Sequence, residues 1–221
     1  MDISTMAGML LEGFGVRAQV FALTLLGSIP LGIPVALARL SRFKPLQLLA
    51  RAFISVMRGT PLMLQMFAVY FAPYYVFGIQ LTTQSKWQAC IIAFIINYAA
   101  YFAEIYRSGI QSIPRGQYEA AEVLGYSRVQ TFARIVMPQV AKRILPAMGN
   151  EIITLVKDTS LARAIALQEV IWAAESFMKG NQGISGLWWP LMFTAVYYLA
   201  FSAIVTMVLG RLEKKLDYFR V

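Results

Sequence analysis

Apolar stretches long enough to cross a bilayer alternate along this chain with short polar segments rich in arginine and lysine. The first stretch, residues 16–40, includes residues 20–38 without a single charge, whereas an amphipathic helix of a soluble domain sets charges along one face. Its Gly27, Pro30, Gly32 and Pro34 are tolerated in a bilayer helix when neighbours satisfy the freed backbone. A second stretch, residues 49–77, has Arg51 and Arg58 near its start and Pro61 in its first turns, which predicts a kinked or interfacial entry. A third, residues 87–105, opens on Trp87 and closes at Glu104 and Arg107; the polar segment that follows, residues 108–143, reads as a loop. The fourth, residues 144–156, ends at Lys157-Asp158-Thr159-Ser160, with helix resuming after that break. The fifth, residues 187–209, runs from Trp188-Trp189 to Arg211, Lys214 and Lys215. The pattern predicts an all-α integral membrane protein of about five transmembrane helices, one domain over residues 1–221 with no internal repeat.

Loop charge orients these spans. Residues 39–58, 107–143 and 211–220 hold 15 of the 20 basic residues, which places those segments in the cytoplasm, the N-terminus outside and the C-terminus inside. Arg17, Lys86, Lys157, Arg163 and Lys179 are left on the outer side, with Trp87, Trp188 and Trp189 at the outer interface. A composition 58% hydrophobic and 14% charged excludes an ordinary soluble domain. The net charge of +9 sits in loop clusters without interleaved aromatics, so nucleic acid is not an expected partner. With no histidine and with Cys90 alone inside an apolar run, neither a catalytic triad nor a metal site is expected, and no catalytic residue is assigned. Residues 1–19 lack a basic start ahead of their apolar part, so no cleaved signal peptide is expected.

The loop at 108–143 has more local order than a connector needs. Pro114 and the Glu119-Ala120-Ala121 run suit a short helix that Gly125 would close. Ser127 and Gln130 form a capping-box pattern opening a second helix, residues 128–137, which Pro138 is expected to stop. Alone, such a hairpin suits a docking element, a membrane-surface helix or a DNA reader; the flanking spans exclude the last.

Glu119-Ala120-Ala121, Gly125, Ile135 and Met137-Pro138 resemble, in identity and spacing, the EAA loop of ABC importer permeases, with Met137 where that family more often has leucine. Arg58-Gly59-Thr60-Pro61-Leu62 with Gln65, the run YFAEIYRSGIQ from Tyr101, Ser112-Ile113-Pro114-Arg115-Gly116-Gln117 and Lys157-Asp158-Thr159-Ser160-Leu161 narrow the resemblance to the polar amino acid branch, over residues 28–212. The chain departs from that branch at Gly15-Val16-Arg17, where a Thr-Leu-Lys-like start is usual. The resemblance implies a type I ABC importer permease in a bacterial plasma (inner) membrane. It also implies a second permease subunit, identical or related, an ATPase dimer and an extracytoplasmic amino-acid-binding protein. In that family the EAA loop couples to the ATPase, a role that falls here on Glu119, Ala120, Ala121, Gly125, Ile135 and Pro138. This chain contains no GxxxxGK[ST] phosphate loop, so ATP and Mg belong to the partner ATPase and no cofactor is expected here.

Candidate ligand contacts follow from helical spacing. Glu151, Thr154 and Asp158, at offsets of three and seven, share one helical face, and Thr159 with the opened backbone beside it offers further hydrogen bonds. Two carboxylates on a pathway would favour a cationic amino acid, unless Lys157, Arg58 or Arg163 neutralises them as structural ion pairs. Asn97 and Tyr101, one turn apart, either face the pathway or bond between helices, and Gln65 carries the same alternatives. Glu104 and Arg107 are expected to pair. The competing reading, an ion-coupled secondary transporter or channel, would also place broken helices and charges at mid-membrane, but it offers no account of the EAA spacing.

Overall fold

The computed structural model describes residues 3–167, 171, 175 and 189–216. Helix α1 (Ile3–Leu40) begins well before the expected residue 16, since the apolar run through Leu10, itself buried, continues the same helix. Arg17 therefore does not lie in an outer loop: it sits inside α1 and is 0% exposed. Lys179, Trp188 and Arg220, read from sequence as loop charges and an interfacial aromatic, lie outside the described residues.

The second expected span is two helices, α2 (Lys44–Gly59) and α3 (Leu62–Phe77), bent by 107°. Pro61 causes the break. It lacks an N–H and forces the preceding residue out of the helical region, and Thr60 accordingly sits at φ −120, ψ 146. Helix α4 (Thr83–Gln111) outruns its expected 87–105 at both ends. A reciprocal cap starts it, with Ser85 N–H to Thr82 Oγ1 at 3.0 Å and Thr82 N–H to Ser85 Oγ at 2.7 Å. The Arg107 guanidinium, donating through Nε to both Glu104 oxygens at 3.0 Å, lets the helix pass its charged end as an i,i+3 pair.

Helix α4 is the centre of the fold. Its buried Ala89, Ala93, Ala99, Ala100 and Ala103 let neighbours approach closely, and Phe94, Tyr98 and Phe102 fill the core between α1, α3 and α7. Gly109 takes the closest approach: a Cβ there would overlap Ile144 of α7.

Helix α5 (Arg115–Val123) and the short α6 (Arg128–Gln130) form the expected hairpin, but Pro138 does not end its second arm. A π-helical turn, Thr131–Val136, leads directly into α7 (Met137–Asp158). Pro138 falls in the first turn of α7, and the wider turn before it, with Met137 N–H bonded to Phe132 O, absorbs the missing donor. Nor does the chain break after Asp158; it tightens into a 3₁₀ turn, Thr159–Ile165, that ends at Ala166 with φ +57. Helix α8 (Trp189–Leu216) completes the described chain.

Three stretches, Leu10–Leu40, Thr83–Gln111 and Met192–Lys215, are long and apolar enough to cross a membrane, and the bent α2–α3 pair makes a fourth. At 22 residues α7 has the length for a fifth. What it lacks in hydropathy it spends on one polar face, which lines a cavity.

Candidate functional site

A cavity of about 450 Å³ lies where α4, α7 and the α2–α3 elbow meet. Roughly 300–1,000 Å³ is the usual size of a small-molecule site. Helix α7 contributes Glu151, Thr154 and Asp158, the three positions placed on one face by their spacing, and α4 contributes Asn97, Tyr98 and Tyr101. The elbow brings Arg58 and Thr60.

Each group is held differently. Asp158 Oδ2 accepts from Tyr98 OH at 2.8 Å, a bond across sixty residues of sequence. Thr154 Oγ1 donates back to Asn150 O at 2.9 Å. Arg58 lies over the Tyr101 ring, 5.1 Å from its centroid. Glu151 is half-buried and forms no side-chain hydrogen bond and no ion pair within 4 Å among the described residues.

The neutralising pairs considered from sequence are not formed among these residues. Lys157 is exposed, Arg163 bonds Glu175 at 2.5 Å, and Arg58 stands beyond ion-pair distance of both cavity carboxylates.

Asn97 serves the elbow. Its Nδ2 donates to Met57 O and to Gln65 Oε1, both at 3.0 Å, while Gln65 Nε2 donates to Met57 O at 2.9 Å and Thr60 Oγ1 at 2.8 Å. The last carbonyls of a helix have no partner of their own, and these two amides supply it where Pro61 interrupts the chain. Of the two alternatives for Asn97 and Gln65, the structure shows bonding between helices, at the rim of the cavity.

Thr159 does not reach the cavity. It is 1% exposed, donates to Val156 O at 2.9 Å and accepts from Arg17 Nε at 2.9 Å. Because the chain continues helically past Asp158, residue 159 rotates away from the face that 151, 154 and 158 share.

Sequence reasoning missed Tyr98 as a cavity residue, and it named Arg58 as a neutralising partner for the carboxylates. Arg58 had a legible signal, a charge beside a helix break. Tyr98 had none, because only the fold brings it to Asp158.

The hairpin is a second, separate feature. Gly125, at φ +78, closes α5 with Gly125 N–H to Glu122 O and Tyr126 N–H to Ala121 O, both at 3.0 Å. Ser127 and Gln130 cap the next arm reciprocally, Ser127 N–H to Gln130 Oε1 at 2.9 Å and Gln130 N–H to Ser127 Oγ at 3.3 Å. Ala121 is buried, Ile135 half-buried, and Glu119, Ala120, Gly125 and Pro138 are exposed. Gln139 Nε2 donates to Gln117 Oε1 at 3.1 Å, tying the hairpin to the start of α7. Around the turn Val123, Leu124 and Val129 are 88, 72 and 78% exposed, an apolar tip that the spacing of the EAA residues did not reveal.

A family model described as the binding-protein-dependent transport system inner membrane component matches residues 28–218. The arginine transport system permease protein ArtQ of Bacillus subtilis (strain 168) is 34% identical, over 94% of this chain and 92% of its own. The glutamine transport system permease protein GlnP of Escherichia coli (strain K12) is 32% identical, over 94% of this chain and 93% of its own. Among solved structures, a crystal structure of an amino acid ABC transporter with histidines superposes with a TM-score of 0.85 at 28% identity, covering 97% of this chain and 99% of that one. The MetNI methionine ABC transporter, in an inward-facing form, shares the fold at 15% identity and a TM-score of 0.70, over 98% of this chain and 100% of that one.

Proposed function

The chain belongs to the binding-protein-dependent transport system inner membrane components, as a permease subunit of an ATP-driven amino acid importer, and from that premise we propose that its ligand is a cationic amino acid. The observation that carries this reading is the pair Glu151 and Asp158, which share the cavity with no basic side chain within 4 Å of either carboxylate among the described residues. Two carboxylates against the single guanidinium of Arg58 leave the cavity one negative charge in excess. An amino acid with a cationic side chain carries one positive charge in excess and matches it. Arg58 takes the α-carboxylate, and Glu151 and Asp158 divide the two ammonium-like groups; arginine, the ligand named in the ArtQ relative, has this charge pattern.

Uptake into vesicles by the Glu151→Gln variant tests the reading. Loss of one charge-assisted hydrogen bond, about 1.5 kcal/mol, lowers transport of labelled lysine and arginine roughly tenfold and that of labelled glutamine far less. Equal losses for all three amino acids would assign Glu151 a structural role, and efficient wild-type uptake of glutamate would remove the account of specificity.

The same reading assigns ATP and Mg to the partner ATPase, which docks on the hairpin through Glu119, Ala120, Ala121, Gly125, Ile135 and Pro138. Support comes from the exposed apolar tip and from the unbroken helical path that joins it to the cavity face of α7. The hairpin then lies in the cytoplasm with the C-terminus, and the α3–α4 connection faces out. Impermeant thiol labels at single cysteines in residues 80–86 should react from outside the cell and a label at Lys214→Cys should not; the reverse pattern would overturn the orientation.

A further inference from the structure

A charged side chain fully buried at membrane depth demands a reason, and Arg17 is 0% exposed in the middle of α1. Its Nη2 donates to Val156 O at 2.6 Å and its Nε to Thr159 Oγ1 at 2.9 Å. Its guanidinium lies over the ring of Tyr198 of α8, 3.2 Å from the centroid, with the Phe201 centroid at 5.5 Å. One side chain of α1 thus grips both the end of α7 and α8.

The grip falls on a place that needs one. The last carbonyls of α7 point out of the helix where the 3₁₀ turn begins, and a cation there offsets the negative end of the helix dipole. Val156 and Thr159 bracket Asp158. On the opposite side, Tyr98 of α4 holds the Asp158 carboxylate itself. The backbone that presents this carboxylate to the cavity is therefore fixed from behind by Arg17 and the carboxylate from in front by Tyr98.

We infer that Arg17 is a positioning residue of the translocation cavity, capping the C-terminus of α7 so that Asp158 is presented to the ligand. The planar guanidinium reaches two acceptors and an aromatic face at once; an ammonium group supplies the charge and one bond without the flat face. Arg17→Lys therefore keeps part of the function and Arg17→Gln little of it. The inference rests on reading Asp158 as a pathway residue. Failure of that reading shows as an unchanged ligand preference in Asp158→Asn, a result independent of the measurement below.

The test is the rate at which a thiol introduced by Asp158→Cys forms a mixed disulfide with the cationic reagent 2-aminoethyl methanethiosulfonate, with release of methanesulfinate, on the assembled transporter in vesicles. The bonds made by Arg17 go to residues 156 and 159, so this substitution leaves them in place. Adding Arg17→Gln should lower the rate by roughly threefold or more, since the reagent arrives through the cavity and the thiol is no longer presented to it, with Arg17→Lys in between. The native Cys90, 0% exposed, reports on the core and should stay unlabelled throughout. Equal rates in the three backgrounds, or a faster rate in Arg17→Gln, with Cys90 protected would overturn the inference. If Cys90 opens in Arg17→Gln alone, the rate in Arg17→Lys decides. If it opens in both, Arg17 holds the fold as a whole and the positioning role is wrong.

Discussion

At the hairpin, α5 ends in a left-handed residue at φ +78 with bonds from 125 to 122 and from 126 to 121; beyond the other end of α7, the 3₁₀ turn ends at φ +57 with bonds from 166 to 163 and from 167 to 162. The two turns are the same hydrogen-bonded motif, yet the first is closed by Gly125 and the second by Ala166. Glycine enters the left-handed region freely, whereas a residue with a Cβ is held there at a cost of about 1–2 kcal/mol. The hairpin turn is thus a local choice of its own sequence. The turn beside the cavity is imposed by packing, since Ala162, Ile165 and Leu167 around it are all buried in the core. One end of α7 is built to stand alone in water, and the other is defined by what surrounds it.

The comparison breaks most visibly at Gly125. Open space surrounds it, so Gly125→Val meets no clash and suffers only the left-handed backbone, at about 2 kcal/mol for a β-branched side chain. Substrate-stimulated ATP hydrolysis by the assembled importer should fall roughly tenfold or more while the amount of inserted chain is unchanged. Stimulation at the wild-type level would mean that the turn is not part of the docking surface.

A middle-sized effect is expected at the elbow, which lines the same cavity as the packed end of α7. Asn97→Ala removes two bonds, but Met57 O keeps the one from Gln65, so the loss should be about 1 kcal/mol, seen as a melting midpoint lower by a few degrees. An equal drop from Gln130→Ala in the exposed hairpin would erase the proposed contrast between the packed cavity side and the hairpin.

The smallest effect sharpens it. Ala166→Gly relieves the left-handed strain but frees the unfolded chain, so the midpoint should rise by the equivalent of a few tenths of a kcal/mol. A marked fall would show that the Ala166 methyl packs against the core and outweighs the strain.

This division also decides what could be read from the sequence. Gly125, the Ser127–Gln130 cap and the face shared by Glu151, Thr154 and Asp158 depend on spacings of a few residues, and all are as expected. Pro138 misled because a proline stops a helix only when it sits inside one; the π turn before it made it a first-turn residue. Thr159 misled because the break expected after Asp158 is a tightening of the same helix. Arg17 and Tyr98 were out of reach for another reason: their partners lie 142 and 60 residues away, and no local pattern encodes such pairs.

The contact of Gly109 with Ile144 lies nearer to the hairpin end of α7 than to its cavity end. With a rise of about 1.5 Å per residue, Ile144 stands roughly 10 Å from Met137 and roughly 21 Å from Asp158. That tight crossing is the natural fulcrum for α7, and its arms are unequal. Provided the helix stays straight through Pro146, tilting it there carries Asp158 about twice as far as Met137, so a small push at the hairpin arrives in the cavity magnified and reversed in direction.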